Sequence, residues 1–120
     1  MVKKILYVDD EVESRIMVAD YLRYLGHEII TVEEAGQALR AALDNQVAAV
    51  ILDVNLVGLD GPELLALLRR NHPAVPIILY SGMNPEAEKV KRMMAGGANR
   101  FLSKNEPLEE LVKVLHGVLN

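Results

Sequence analysis

The sequence predicts a single α/β domain, a doubly wound parallel sheet with helices on both faces. Two observations carry that prediction. Short apolar runs rich in β-branched residues alternate along the chain with segments of helical periodicity, and 120 residues support one core but leave no room for a second domain.

Ile5 to Val8, Val47 to Leu52 and Val75 to Tyr80 are each stopped by polar or turn residues and read as buried strands. Glu28 to Val32 and Arg100 to Leu102 are weaker runs that belong nearer the sheet edges. Between the strands, Val12, Ile16, Ala19, Leu22 and Leu25 step by three or four residues and stop at Gly26, a residue favoured just past a helix end. Ala35, Ala38, Leu39 and Ala42 repeat the pattern. So do Leu64, Leu65 and Leu68 after Asp60, an expected N-cap paired with Glu63 in a capping box. Asn84-Pro85 opens a fourth helix through Ala87, Val90 and Met94, and Leu108, Leu111, Val112 and Leu115 form the fifth. Strict alternation implies right-handed crossovers and therefore five parallel strands covered on both sides.

The 51% hydrophobic and 25% charged composition fits a soluble globular chain, and a formal net charge of −4 argues against a bulk electrostatic grip on nucleic acid or anionic lipid. Cysteine is absent, which removes disulfides, thiolate metal sites and thiol nucleophiles. The opening residues lack the apolar core of a signal peptide, and no run approaches the length of a membrane span. A cytoplasmic location is expected.

Functional residues of such a sheet gather at the carboxyl ends of its strands. There the sequence places Asp9-Asp10-Glu11 after the first strand, Asp53 after the third, Ser81-Gly82 after the fourth and Ser103-Lys104 after the fifth. Taken singly, the acids read as helix caps or turn residues, Ser81 as the start of a helix and Lys104 as a solvated surface group. Together they do not. Carboxylates about 5 Å apart at an effective dielectric of about 20 repel by roughly 3 kcal/mol per pair, which calls for a cation or raised pKa values. Oxygen ligands without His or Cys suit Mg²⁺ or Mn²⁺. Phosphate chemistry follows, with Asp53 as nucleophile and Lys104 and Ser81 on the transferring oxygens.

The motifs Val8-Asp9-Asp10-Glu11, Ile51-Leu52-Asp53-Val54-Asn55-Leu56, Ser81-Gly82 and Gly97-Ala98-Asn99-Arg100-Phe101-Leu102-Ser103-Lys104 resemble those of response-regulator receiver domains of two-component signalling. The resemblance covers essentially the whole chain and implies a flavodoxin-like (βα)5 fold with strand order 2-1-3-4-5. It implies phosphorylation at Asp53, and Mg²⁺ held by Asp10, Asp53 and the Asn55 carbonyl with help from Asp9 through water, Mn²⁺ substituting. Ser81 and Lys104 would hold the phosphoryl group. Phe101 would turn inward with Ser81 as a switch reshaping the face of helix four, strand five and helix five, a face also suited to homodimerisation. The implied partners are a sensor histidine kinase or phosphotransfer protein and a downstream protein or output domain, the latter not in this chain. Neither membrane nor nucleic-acid contact is implied.

Two features depart from the family pattern. Asn105 follows Lys104 where relatives carry a cis proline, leaving open a strained bond, at about 2.5 to 4 kcal/mol, or a trans path. Val57 stands where proline is common, and Gly58 beside it loosens that segment. Asn55 and Met83 occupy positions that tune phosphoryl lifetime in the family. His27, His72 and His116 read as surface residues, Arg69, Arg70, Lys89, Lys91 and Arg92 as solvated faces, and Met93 and Met94 as core of the fourth helix. Rival readings are an aspartyl-phosphate-forming hydrolase, which lacks its cap here, a flavin or nucleotide binder, which lacks its Gly-rich loop, and an unphosphorylated pseudo-receiver serving as an interaction module.

Overall fold

A computed structural model describes residues 3–44, 46–56, 61–82 and 86–119. Five strands, β1 (Lys4–Val8), β2 (Glu28–Val32), β3 (Ala49–Leu52), β4 (Ile77–Ser81) and β5 (Arg100–Ser103), alternate with α1 (Val12–Tyr24), α2 (Ala35–Asp44), α3 (Gly61–Asn71), α4 (Ala87–Ala95) and α5 (Leu108–Leu119). All pairings are parallel and the order is β2-β1-β3-β4-β5, which leaves the two weak runs at the edges as expected. β3 and β4 start two residues later than their apolar runs, and β4 and β5 each reach one residue further, to Ser81 and Ser103. Among the described residues no helix is long and apolar enough to cross a membrane.

Alternating side chains divide the interior into two layers. Leu6, Val8, Val50, Leu52 and Leu79 face α2, α3 and α4, where Ala38, Leu64, Leu65, Leu68 and Met93 are buried. Ile5, Tyr7, Ile51, Ile78 and Tyr80 face α1 and α5 through Val18, Ala19, Leu22, Leu111 and Leu115. Met93 is core, as expected, whereas Met94 is exposed.

The face of α1 differs from the expected one: Val12 (56%), Ile16 (58%) and Leu25 (41%) are exposed, and Val18 joins Ala19 and Leu22 inside. At 3.6 residues per turn, Ile16 lies about 110° from the centre of the buried stripe, and repeated steps of three carry Leu25 off its other side. The stop at Gly26 is as expected. Gly26 adopts φ 96°, its N–H bonds to the Arg23 carbonyl and the His27 N–H bonds back to the Leu22 carbonyl, a Schellman closure.

Arg69 is not a solvated cation. Its guanidinium donates to the carbonyls of His72, Pro73, Val75 and Gly97 and to Asn99 Oδ1, which also accepts from the Ile77 N–H. Arg69 thereby ties the end of α3 to the starts of β4 and β5, and Gly97, at φ 115°, admits it closely. His116 is exposed, as expected, and its ring touches that of the half-buried His27, whereas His72 is half-buried with an enclosed Nε2. The expected cap at Asp60, the Val57-Gly58 segment, Met83 and the Asn84-Pro85 helix start lie outside the described residues.

Candidate functional site

The sheet register brings the expected residues to one edge. Val8 pairs with Leu52 and Ser81 with Ser103, so the residues that follow emerge level with one another. The Asp53 N–H bonds to the Val8 carbonyl and the Lys104 N–H to the Ser81 carbonyl, extending the ladder by one step at both places.

Asp9 and Ser81 are fully buried, Asp53 is 5% exposed and Asp10 is half-buried. Each of Asp9, Asp10 and Asp53 offers a carboxylate oxygen within 4.8 Å of the others. Like charges this close need compensation, and protein donors supply part of it. Lys104 Nζ lies 2.6 Å from Asp9 Oδ2, 3.0 Å from Glu11 Oε1 and 3.8 Å from Asp53 Oδ2. The Tyr7 hydroxyl donates to Asp9 Oδ2 at 2.5 Å, the Glu11 N–H to Asp9 Oδ1 at 2.9 Å and the Asn55 N–H to Asp53 Oδ1 at 3.1 Å.

Asp9 thus has a charged, a phenolic and a backbone donor, whereas Asp53 has one N–H and a more distant amine. Burial dominates at Asp53 and raises its pKa to about 6, against the opposing pull of the Asn55 N–H and Lys104 and with added repulsion from Asp9. Burial alone would lower Lys104, but its bonds to Asp9 and Glu11 and the charge of Asp53 outweigh that, and its pKa rises. Burial also raises Tyr7, reinforced by its bond to Asp9, so the phenol stays a donor.

The Ser81 hydroxyl is buried and has no hydrogen-bond partner among the described residues. The Lys104–Asn105 bond is trans, like every described peptide, and the loop still delivers Lys104 to the acids. Phe101 is 38% exposed on β5 and belongs to neither core layer.

Sequence reasoning missed Tyr7 and the role of Glu11 as a partner of Lys104. A signal for Tyr7 existed, because residues i and i+2 of a strand share a face and Asp9 follows Tyr7 by two. The three aspartates form a hard, oxygen-only donor set.

The pattern of the response regulator receiver domain matches residues 5–116. The response regulator protein FleR of Pseudomonas aeruginosa is 34% identical over 106 residues, covering 88% of this chain and 22% of FleR. The probable transcriptional regulatory protein TcrX of Mycobacterium tuberculosis is 32% identical over 115 residues, 96% of this chain and 49% of TcrX. The chain therefore spans half or less of either relative. In structure it is similar to the chemotaxis protein CheY4 of Vibrio cholerae, with a TM-score of 0.90 and 30% identity, covering 98% of this chain and 99% of that one. Strand order, acidic edge and sequence agree, and the chain belongs to the response-regulator receiver domain family.

Proposed function

We propose that this domain accepts a phosphoryl group on Asp53 and passes the change to a partner. The observation that carries the reading is the buried Asp53 carboxylate at the end of β3, with Lys104 Nζ 3.8 Å away and two further aspartates beside it. An Asp53 oxygen attacks phosphorus in line with the leaving group. The new O–P bond forms as the donor's bond to phosphorus breaks and its electron pair departs. Lys104 moves its charge from Asp9 and Glu11 onto a phosphoryl oxygen, and the Ser81 hydroxyl donates to another.

The donor set fits Mg²⁺, with Mn²⁺ as substitute. Asp10, Asp53 and the Asn55 carbonyl would hold it, Asp9 through water, and it would neutralise charge on the phosphoryl oxygens. The donor is a sensor histidine kinase, a phosphotransfer protein or a small acyl phosphate. The domain, residues 1–120, promotes its own phosphorylation and dephosphorylation and acts on no separate substrate. Phe101, exposed on β5, turns inward in the phosphorylated form, reshaping the α4–β5–α5 face for a downstream protein, an output domain or a second copy. The work is done in the cytoplasm, without membrane or nucleic-acid contact by this domain.

Incubation with acetyl phosphate and Mg²⁺, followed by intact mass, should give one phosphoryl adduct, absent from Asp53→Asn and from samples in EDTA. A wild-type protein left unmodified both by acetyl phosphate and by its kinase would refute the proposal.

A further inference from the structure

His27 and His116 stand 89 residues apart in sequence, yet their Nε2 atoms approach to 3.1 Å. They lie away from the acidic edge, His27 at the turn between α1 and β2 and His116 in the last turn of α5. We propose that this pair is a second cation site, selective for borderline transition metals such as Zn²⁺, Ni²⁺ or Cu²⁺ and distinct in chemistry from the oxygen-only site at the strand ends.

The spacing fits one ion. Two imidazole nitrogens each about 2.0–2.1 Å from a metal stand about 2.9 Å apart at right angles and about 3.4 Å apart at the tetrahedral angle, and the observed separation falls between. The ring centroids, 5.3 Å apart and tilted by 55°, put the nitrogens nearly head to head, so a reorientation of about 40° at each ring brings both lone pairs onto a common point.

Both backbones are fixed. His27 is held by the Schellman closure at Gly26, and His116 follows Leu115, which is fully buried against the sheet. Little chain entropy is lost on binding, since the fold already positions the two rings.

Protonation is also favourable. Metal ligation needs neutral imidazole, and partial burial together with the neighbouring His116 lowers the pKa of His27. In the neutral pair one ring donates its Nε2 proton to the other. On binding, that ring passes the proton through solvent to its own Nδ1, so both rings present Nε2 lone pairs and no net proton is released. Water completes the coordination. Because the two residues meet only in the folded chain, the bound ion clamps the α1–β2 turn to the end of α5 and stabilises the native state.

The test uses untagged protein with excess Mg²⁺ present to occupy the acidic edge. Calorimetric titration with Zn²⁺ should show one site, weakened by about tenfold or more in His27→Ala and in His116→Ala and unchanged in His72→Ala. In the wild type, substoichiometric Cu²⁺ should broaden the side-chain NMR signals of His27 and His116 before those of other residues, which decides the matter even if a variant fails to fold. Zn²⁺ binding that survives both substitutions, that disappears with Asp53→Asn instead, or that is absent from the wild type would overturn the assignment.

Discussion

Lys104 Nζ lies 2.6 Å from Asp9 Oδ2 and 3.8 Å from Asp53 Oδ2, so the lysine of the site rests on the carboxylate beside the proposed acceptor rather than on the acceptor itself. This leaves Asp53 short of positive charge while Asp9 has three donors.

Replacing Lys104 by Met removes that charge. Phosphoryl transfer from acetyl phosphate should slow by about 10²-fold or more, the order found when one preorganised electrostatic donor is lost. Asp9, with no exposure, would keep only the Tyr7 and Glu11 donors, and urea unfolding in EDTA should show a loss of about 3 kcal/mol.

The pKa of Asp53 sets the sign of a pH effect. A carboxyl raised from 3.8 to about 6 binds its proton more tightly folded than unfolded, so its favourable contribution is present below about pH 4 and lost as pH rises through about 6. At pH 7 the ionised group is a net cost, of order 2–3 kcal/mol by linkage. Asp53→Asn should therefore be more stable than wild type at pH 7 in EDTA, with the difference fading as the pH falls from 6 to 4. Urea midpoints across that range measure it.

Magnesium should relieve the same repulsion. At ten times its dissociation constant it should add about 1.4 kcal/mol to unfolding stability, and chelation should reverse this. Asp10→Asn should lose the gain when thermal midpoints are compared with and without the ion.

Arg69→Ala should destabilise by about 2–4 kcal/mol, because it removes the donor from three part-buried carbonyls, those of His72, Val75 and Gly97, at once. Arg69→Lys should recover little of this, since an ammonium lacks the forked geometry that reaches both α3's end and Gly97. Chemical denaturation distinguishes the two variants.

The strands were legible because buried parallel strands are written as continuous β-branched runs, and the site because each run is cut off by a polar residue at the same sheet edge. Asp9, Asp53, Ser81 and Lys104 meet there as expected. The buried side of α1 was harder to read, since Val12, Ile16 and Met17 spread apolar residues well beyond one stripe. Arg69 left no periodic trace, because its acceptors are loop carbonyls and an asparagine up to 30 residues away. The meeting of His27 with His116 depends on how α5 packs beside α1, which neither local pattern encodes.

The sheet also acts as a partition. With α2, α3 and α4 seated on one side and α1 and α5 on the other, a void opened in one layer has no shared side chain through which to reach the second. Leu65→Ala and Leu115→Ala should therefore sum in the double variant to within about 0.5 kcal/mol. Damage on one side stays there, and only the strand ends, where both layers terminate, answer to the whole molecule.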